Sequence, residues 1–181
     1  MITYSQAHEL AEKYLSEALP RRWSHVQAVG QKAKNIAGFL PEDDQVVLEV
    51  SAILHDIGYS PELIDTGFHP LDGGRWLRRI GINERVVNLV AHHSCALLEA
   101  EERGLRGLLV DEFLDESSTV TDALWYCDMT TGPDGQTLNV SARLTEIKGR
   151  YGPNDLITRF IGKAENQLIE AVERTQNQIK S

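Results

Sequence analysis

Residues 46–54 read Val-Val-Leu-Glu-Val-Ser-Ala-Ile-Leu. At helical periodicity their apolar side chains point in nearly every direction, so this segment belongs in the middle of a helical bundle. Pro41, followed by Glu42, Asp43 and Asp44, marks its start, with proline in the first turn and acids close to the positive end of the helix dipole. It runs directly into His55-Asp56-Ile57-Gly58, with Gly58 expected as its C-cap. The most hydrophobic helix of the chain therefore ends in two ionisable residues. A carboxylate taken out of water is costly unless it is paired or bound to a metal.

The flanking segments share the helical period. Ala7, Leu10, Ala11, Tyr14, Leu15 and Ala18 line one side of a first helix over 5–18, which Pro20 is expected to end. Over 22–39, His25, Val29, Ala33, Ile36 and Leu40 fall in one narrow sector, so His25 lies on the apolar stripe. Further helices are expected from His69, over 83–100, over 118–129, and over 139–151 and 154–179, with a loop at 101–115 that holds a short helical turn. Strand alternation is scarce and no hairpin signal occurs. The reading is all-α, a bundle of roughly seven to nine helices. It is taken as one domain over 1–181, with a core at about 20–132 and C-terminal helices at about 139–179.

Composition narrows the function classes. The chain has 181 residues, 41% of them hydrophobic and 25% charged, which suits a soluble globular domain. The net charge is -9 and there is no long Lys/Arg run, which argues against stable nucleic-acid binding. No apolar stretch is long enough to cross a membrane, and Met1–Gln6 lacks the basic and apolar blocks of a signal peptide. A cytoplasmic location is expected. Cys95 and Cys127 form no CxxC pair and are expected as reduced thiols in or near the core.

Five of the six histidines fall at helix ends or on inward faces: His25, His55, His69, His92 and His93. With Asp56 and Asp128 they form an ordered set. Imidazole with carboxylate suits Zn, Fe, Mn, Co or Ni, and a carboxylate-rich share suits Mg or Mn. Ligands from several helices converging on one point make a metal site in a bundle core. Taken singly, each has a plainer role: a satisfied core histidine, a helix-end pair, a loop residue or a surface carboxylate. Neighbours such as His92 and His93 point about 100° apart on a helix, so only one of them is expected to face inward.

The order His25, His55-Asp56, Asp128 resembles the signature of the HD-domain superfamily of metal-dependent phosphohydrolases, and Ser51–Gly58 is similar to its apolar-helix-then-HDIG motif. The likeness covers about residues 20–132. His69-Pro70-Leu71-Asp72-Gly73-Gly74 is similar to the HPxxGA stretch of binuclear members. The resemblance implies a metal-dependent phosphohydrolase or phosphodiesterase holding one or two divalent ions, with His69 and one of His92 and His93 as additional ligands. It favours His93, which precedes Ser94, and leaves His92 open. It makes Asp56 the bridge between two metals and, with His55, the catalytic centre. The implied reaction is attack of metal-bound hydroxide on the phosphorus of a small phosphorylated molecule, a nucleotide by preference. Arg75, Arg78 and Tyr59 are the expected substrate contacts; Tyr59 stands where several binuclear subfamilies carry a lysine. The alternatives are a diiron oxygenase of the same superfamily and a metal-containing binding module without turnover. The amphipathic terminal helices could pair two chains as a homodimer.

Overall fold

The computed structural model describes residues 2–180. Among them the architecture is helical throughout: α1 (Tyr4–Leu15), α2 (Pro20–Ile36), α3 (Glu42–Leu54), α4 (His69–Arg79), α5 (Glu84–Ala91), α6 (Ala96–Arg103), α7 (Arg106–Glu112), α8 (Thr119–Met129), α9 (Val140–Tyr151) and α10 (Leu156–Lys180). The one extended feature is an isolated bridge between Thr131 and Thr137. The all-α expectation holds. Among the described residues no helix is long and apolar enough to cross a membrane.

Helix α3 is central, packed by α1, α2, α5 and α8. Its Val47, Leu48, Val50, Ala52, Ile53 and Leu54 are all buried, as an all-round apolar helix requires. A second core gathers Leu144 and Ile147 of α9 with Phe160, Ile161, Ala164, Leu168 and Val172 of α10, against Met129 and Cys95. This core docks the C-terminal helices along α8. Both cysteines are buried and unpaired.

Several boundaries differ from the expected ones for local reasons. Pro20 opens α2 rather than closing α1, because a proline lacks only an N–H that the first turn leaves unpaired anyway. Thr3 and Gln6 form a capping box that starts α1 one residue early. The stretch 83–100 is two helices: Ser94 and Cys95 take left-handed backbone conformations (φ 47° and 61°) and break it. The short helical turn expected within 101–115 is α7, seven residues long. Gly58 is not a left-handed cap. It sits in a 3-10 turn, Ile57–Tyr59, pressed against the backbone of α4. A Cβ there would lie 2.0 Å from the His69 carbonyl oxygen and 2.6 Å from the Gly73 nitrogen.

Candidate metal centre

Four imidazoles and two carboxylates meet where α2, α3, α4 and α8 end or pass. His25 comes from the buried stripe of α2, His55 and Asp56 from the end of α3, His69 from the first residue of α4, His93 from the turn after α5, and Asp128 from the last turn of α8. All six are buried or nearly so. His25 Nε2 lies 3.1 Å from Asp128 Oδ1 and 3.9 Å from Asp56 Oδ2. His55 Nε2 lies 3.3 Å from Asp56 Oδ2 and 3.9 Å from Asp128 Oδ1. The other oxygen of Asp56, Oδ1, faces His69 Nε2 at 3.3 Å and His93 Nε2 at 3.7 Å. Those two nitrogens are themselves 3.2 Å apart. Asp56 thus turns one oxygen to each pair of rings.

The hydrogen bonds on the far side of three rings settle their tautomers. His25 Nδ1 contacts the Gly132 carbonyl at 3.0 Å, His55 Nδ1 the Ala52 carbonyl at 2.8 Å and His93 Nδ1 the Val90 carbonyl at 2.6 Å. A carbonyl only accepts, so Nδ1 carries the proton, and a ring in its neutral form would aim an Nε2 lone pair into the cluster. Lone pairs facing carboxylates repel unless a positive charge lies between them. His55 Nε2 states the problem most sharply, being fully buried between two carboxylates without a hydrogen-bond partner.

The electrostatics agree. Burial works to raise the pKa of Asp56, but Arg22 and His55 hold it well below the usual carboxylate range. Asp128 is likewise held low, by His25, His55 and Arg143 against burial. Burial lowers His25 and His69 despite the neighbouring carboxylates. For His55 the burial effect is outweighed by Asp56 and Asp128, and its pKa is raised. The carboxylates are therefore ionised and the donors face inward. Within this set, an ion could be held by His25, His55 and Asp128 or by His55, Asp56 and His93, and His55 has a single Nε2 to give to either group. The nitrogen and oxygen donors fit a divalent transition metal.

The other expected site residues separate into two groups. Tyr59 is at the site: its ring stacks on His69 at 3.8 Å between centroids, and the Arg22 guanidinium covers its other side at 4.1 Å. His92 is not. Its Nε2 contacts the Phe113 carbonyl at 3.0 Å, so His93 alone of the pair reaches the cluster. Arg75 and Arg78 are also elsewhere. Arg75 forms a two-pronged pair with Glu112 and reaches Asp65. Arg78 pairs with Glu84 and lies over the Phe113 ring. They sit about 9 and 13.5 Å along α4 from His69 and about 120° and 180° around it, so sequence proximity did not mean a shared face.

Three other arginines line the pocket over the cluster: Arg22, Arg143 and Arg150. Arg22 Nη1 donates to Asp56 Oδ2 at 2.6 Å. Arg143 is buried, with Nη2 4.0 Å from Asp128 Oδ1, Nη1 on Glu146, and Nε without a partner. The signal for Arg22 was present in the sequence, three residues before His25 on the same helix face. Arg143, Ile147 and Arg150 share a stripe about 60° wide on α9.

A bundle that gathers four imidazoles and two carboxylates at one pocket has the donors to hold a divalent metal. Comparison with known proteins agrees. The family model described as HD domain matches residues 22–123, and the chain belongs to the HD-domain family, part of a superfamily of metal-dependent phosphohydrolases. It is similar to a tRNA (cytidine(56)-2'-O)-methyltransferase of Picrophilus torridus, 33% identical over 94 residues, covering 51% of this chain and 26% of that protein. A protein of the same name from Thermoplasma volcanium is 35% identical over 94 residues, 52% of this chain and 27% of its own length. The chain thus spans about a quarter of the length of these relatives. No solved structure matches it.

Proposed function

We propose that this protein hydrolyses a small phosphate ester, with one or two divalent metal ions held by His25, His55, Asp56, His69, His93 and Asp128. The observation that carries the reading is the division of Asp56, with Oδ1 toward His69 and His93 and Oδ2 toward His25 and His55. That is how a carboxylate shared by two ions is placed. Bound divalent ions would supply Lewis acidity, lowering the pKa of a water toward neutrality and offsetting charge on phosphoryl oxygens.

The protein's own groups complete the site. Arg22 and Arg143 flank the cluster beside Asp56 and Asp128 respectively, where they would contact phosphoryl oxygens. Ser94 Oγ donates to Asp128 Oδ2 at 2.5 Å, which fixes the rotation of that carboxylate. Tyr59 holds the His69 ring flat from one side. Nucleotides are the first substrates to try among small phosphorylated molecules. The methyltransferase activity named for the relatives belongs to proteins matched over about a quarter of their length, and nothing in this pocket calls for it.

The test is a screen of phosphorylated metabolites using protein loaded with Mn, Fe, Co or Ni, with and without oxygen. Phosphate release that does not depend on oxygen is expected. Asp56→Ala should abolish it and lower the metal content, while the helical circular-dichroism signal survives. Failure to bind any of these metals, an oxygen-requiring product, or retained activity in Asp56→Ala would overturn the proposal.

A further inference from the structure

The pocket over the cluster has two unlike walls. One is largely polar and comes mostly from the segment the family model matches. The other comes from α9 and the start of α10, wholly outside that segment. Its apolar members are Ile147 and Tyr151 on α9 with Ile157, Phe160 and Ile161 on α10, and Arg143 and Arg150 stand beside them on α9. Each helix turns a single face to the pocket, since 147 and 151 are four apart and 157, 160 and 161 share an i, i+3, i+4 stripe. Tyr151 is 39% exposed, and Ile157 is only partly buried, so apolar surface remains uncovered beside the ionic cluster.

Groups free to read sugar hydroxyls are scarce here, since Arg143 and Arg150 are both paired with Glu146. No Asn, Gln or Thr side chain lines this pocket among the described residues. The Ser94 hydroxyl is taken by Asp128, and Glu99 is held by Arg103. A polyhydroxylated group laid on this wall would lose water without regaining hydrogen bonds, a net cost. An apolar group would gain by being buried.

We propose, resting on the phosphate-ester reading above, that the α9–α10 wall selects substrates whose phosphoryl group carries an apolar, aryl-like organic group rather than a bare sugar. The wall is a specificity surface, and the metal cluster plus Arg22 and Arg143 would take the phosphoryl end.

Non-hydrolysable phosphonates test this without requiring turnover. Titration calorimetry on the manganese-loaded protein compares phenylphosphonate with methylphosphonate. An aryl ring buries roughly 60 Å² more apolar surface than a methyl group on such a wall, which corresponds to about tenfold in affinity. Ile157→Ser and Tyr151→Ala should each bring the ratio of the two affinities toward one. Tyr151 is at the surface, so that variant keeps the test open if Ile157→Ser is poorly folded. Equal affinities in the wild type, no binding of either phosphonate, or an unchanged ratio in both variants would overturn the inference. Preference for phenylphosphonate in a protein that hydrolyses no ester would sink the hydrolase proposal and leave the wall standing. Efficient hydrolysis of ribose 5-phosphate over phenyl phosphate would do the reverse.

Discussion

Replacing Gly58 by alanine perturbs the centre without touching a ligand. The new methyl carbon would begin 2.0 Å from the His69 carbonyl oxygen, and ordinary contact begins at about 3.4 Å. Both nearest neighbours are backbone atoms of α4, so no side chain can swing aside. The start of α4 must retreat by more than an ångström, taking His69 with it. His69 Nε2 now lies 3.3 Å from Asp56 Oδ1 and 3.2 Å from His93 Nε2. Metal–ligand distances tolerate only about 0.2 Å, so the ion nearest His69 should bind at least about tenfold more weakly. Overpacking against rigid backbone costs about 3 kcal/mol, which for a chain of this size lowers Tm by roughly 6–12 °C. Calorimetry of the metal-free protein and metal analysis after dialysis read the two effects separately. Gly38→Ala, where nothing lies within 4 Å, is the control and should be neutral or slightly stabilising. A Gly58→Ala protein with unchanged Tm and full metal load would refute the close-approach argument.

Two further substitutions test the choice between neighbours. His92→Gln should keep the full metal load, because its amide can still donate to the Phe113 carbonyl, whereas His93→Gln should lose an ion by the same metal analysis. Arg75→Ala should leave kcat/KM within about twofold and cost at most ~1 kcal/mol, since its partners Glu112 and Asp65 lie away from the pocket. That cost has a pH signature. The hydrogen bond from Arg75 holds the Glu112 carboxyl below its ordinary value of 4.5, so the pair stabilises fully above that value and is lost as pH falls through the lower folded one. The wild-type advantage in denaturant melts should therefore shrink as the pH falls below about 4.5, and a growing advantage would contradict it.

Much of the centre was legible because it rests on local rules. Helical period put His25 on the inward stripe, and His55-Asp56 stood out as an ionisable pair closing an apolar helix. Asp128 followed from its place in the order. The choice between His92 and His93 was not open to a periodicity argument, because the helix carrying them breaks at Ser94 and Cys95, where two non-glycine residues take positive φ. Arg75 and Arg78 were expected at the site from nearness in sequence, and the angle between their positions and His69 on α4 sends them elsewhere. Arg143 and Arg150 depend on how α9 docks through the second core, a long-range matter that no short window contains. Gly58 was assigned a capping role from its position after α3. Its actual role, letting two backbones touch, requires knowing where α4 lies.

The carbonyl contacts behind the rings divide the labour of building this centre. His55 and His93 each lean on a carbonyl three residues earlier in the chain, Ala52 and Val90. The direction of those two lone pairs is therefore encoded within a single turn of backbone. Their convergence is encoded elsewhere, by helices whose sequence positions are tens of residues apart. An expanded, loosely packed form of the chain would keep these imidazoles correctly polarised and yet fail to gather them, like lenses ground to shape but not mounted on a common axis.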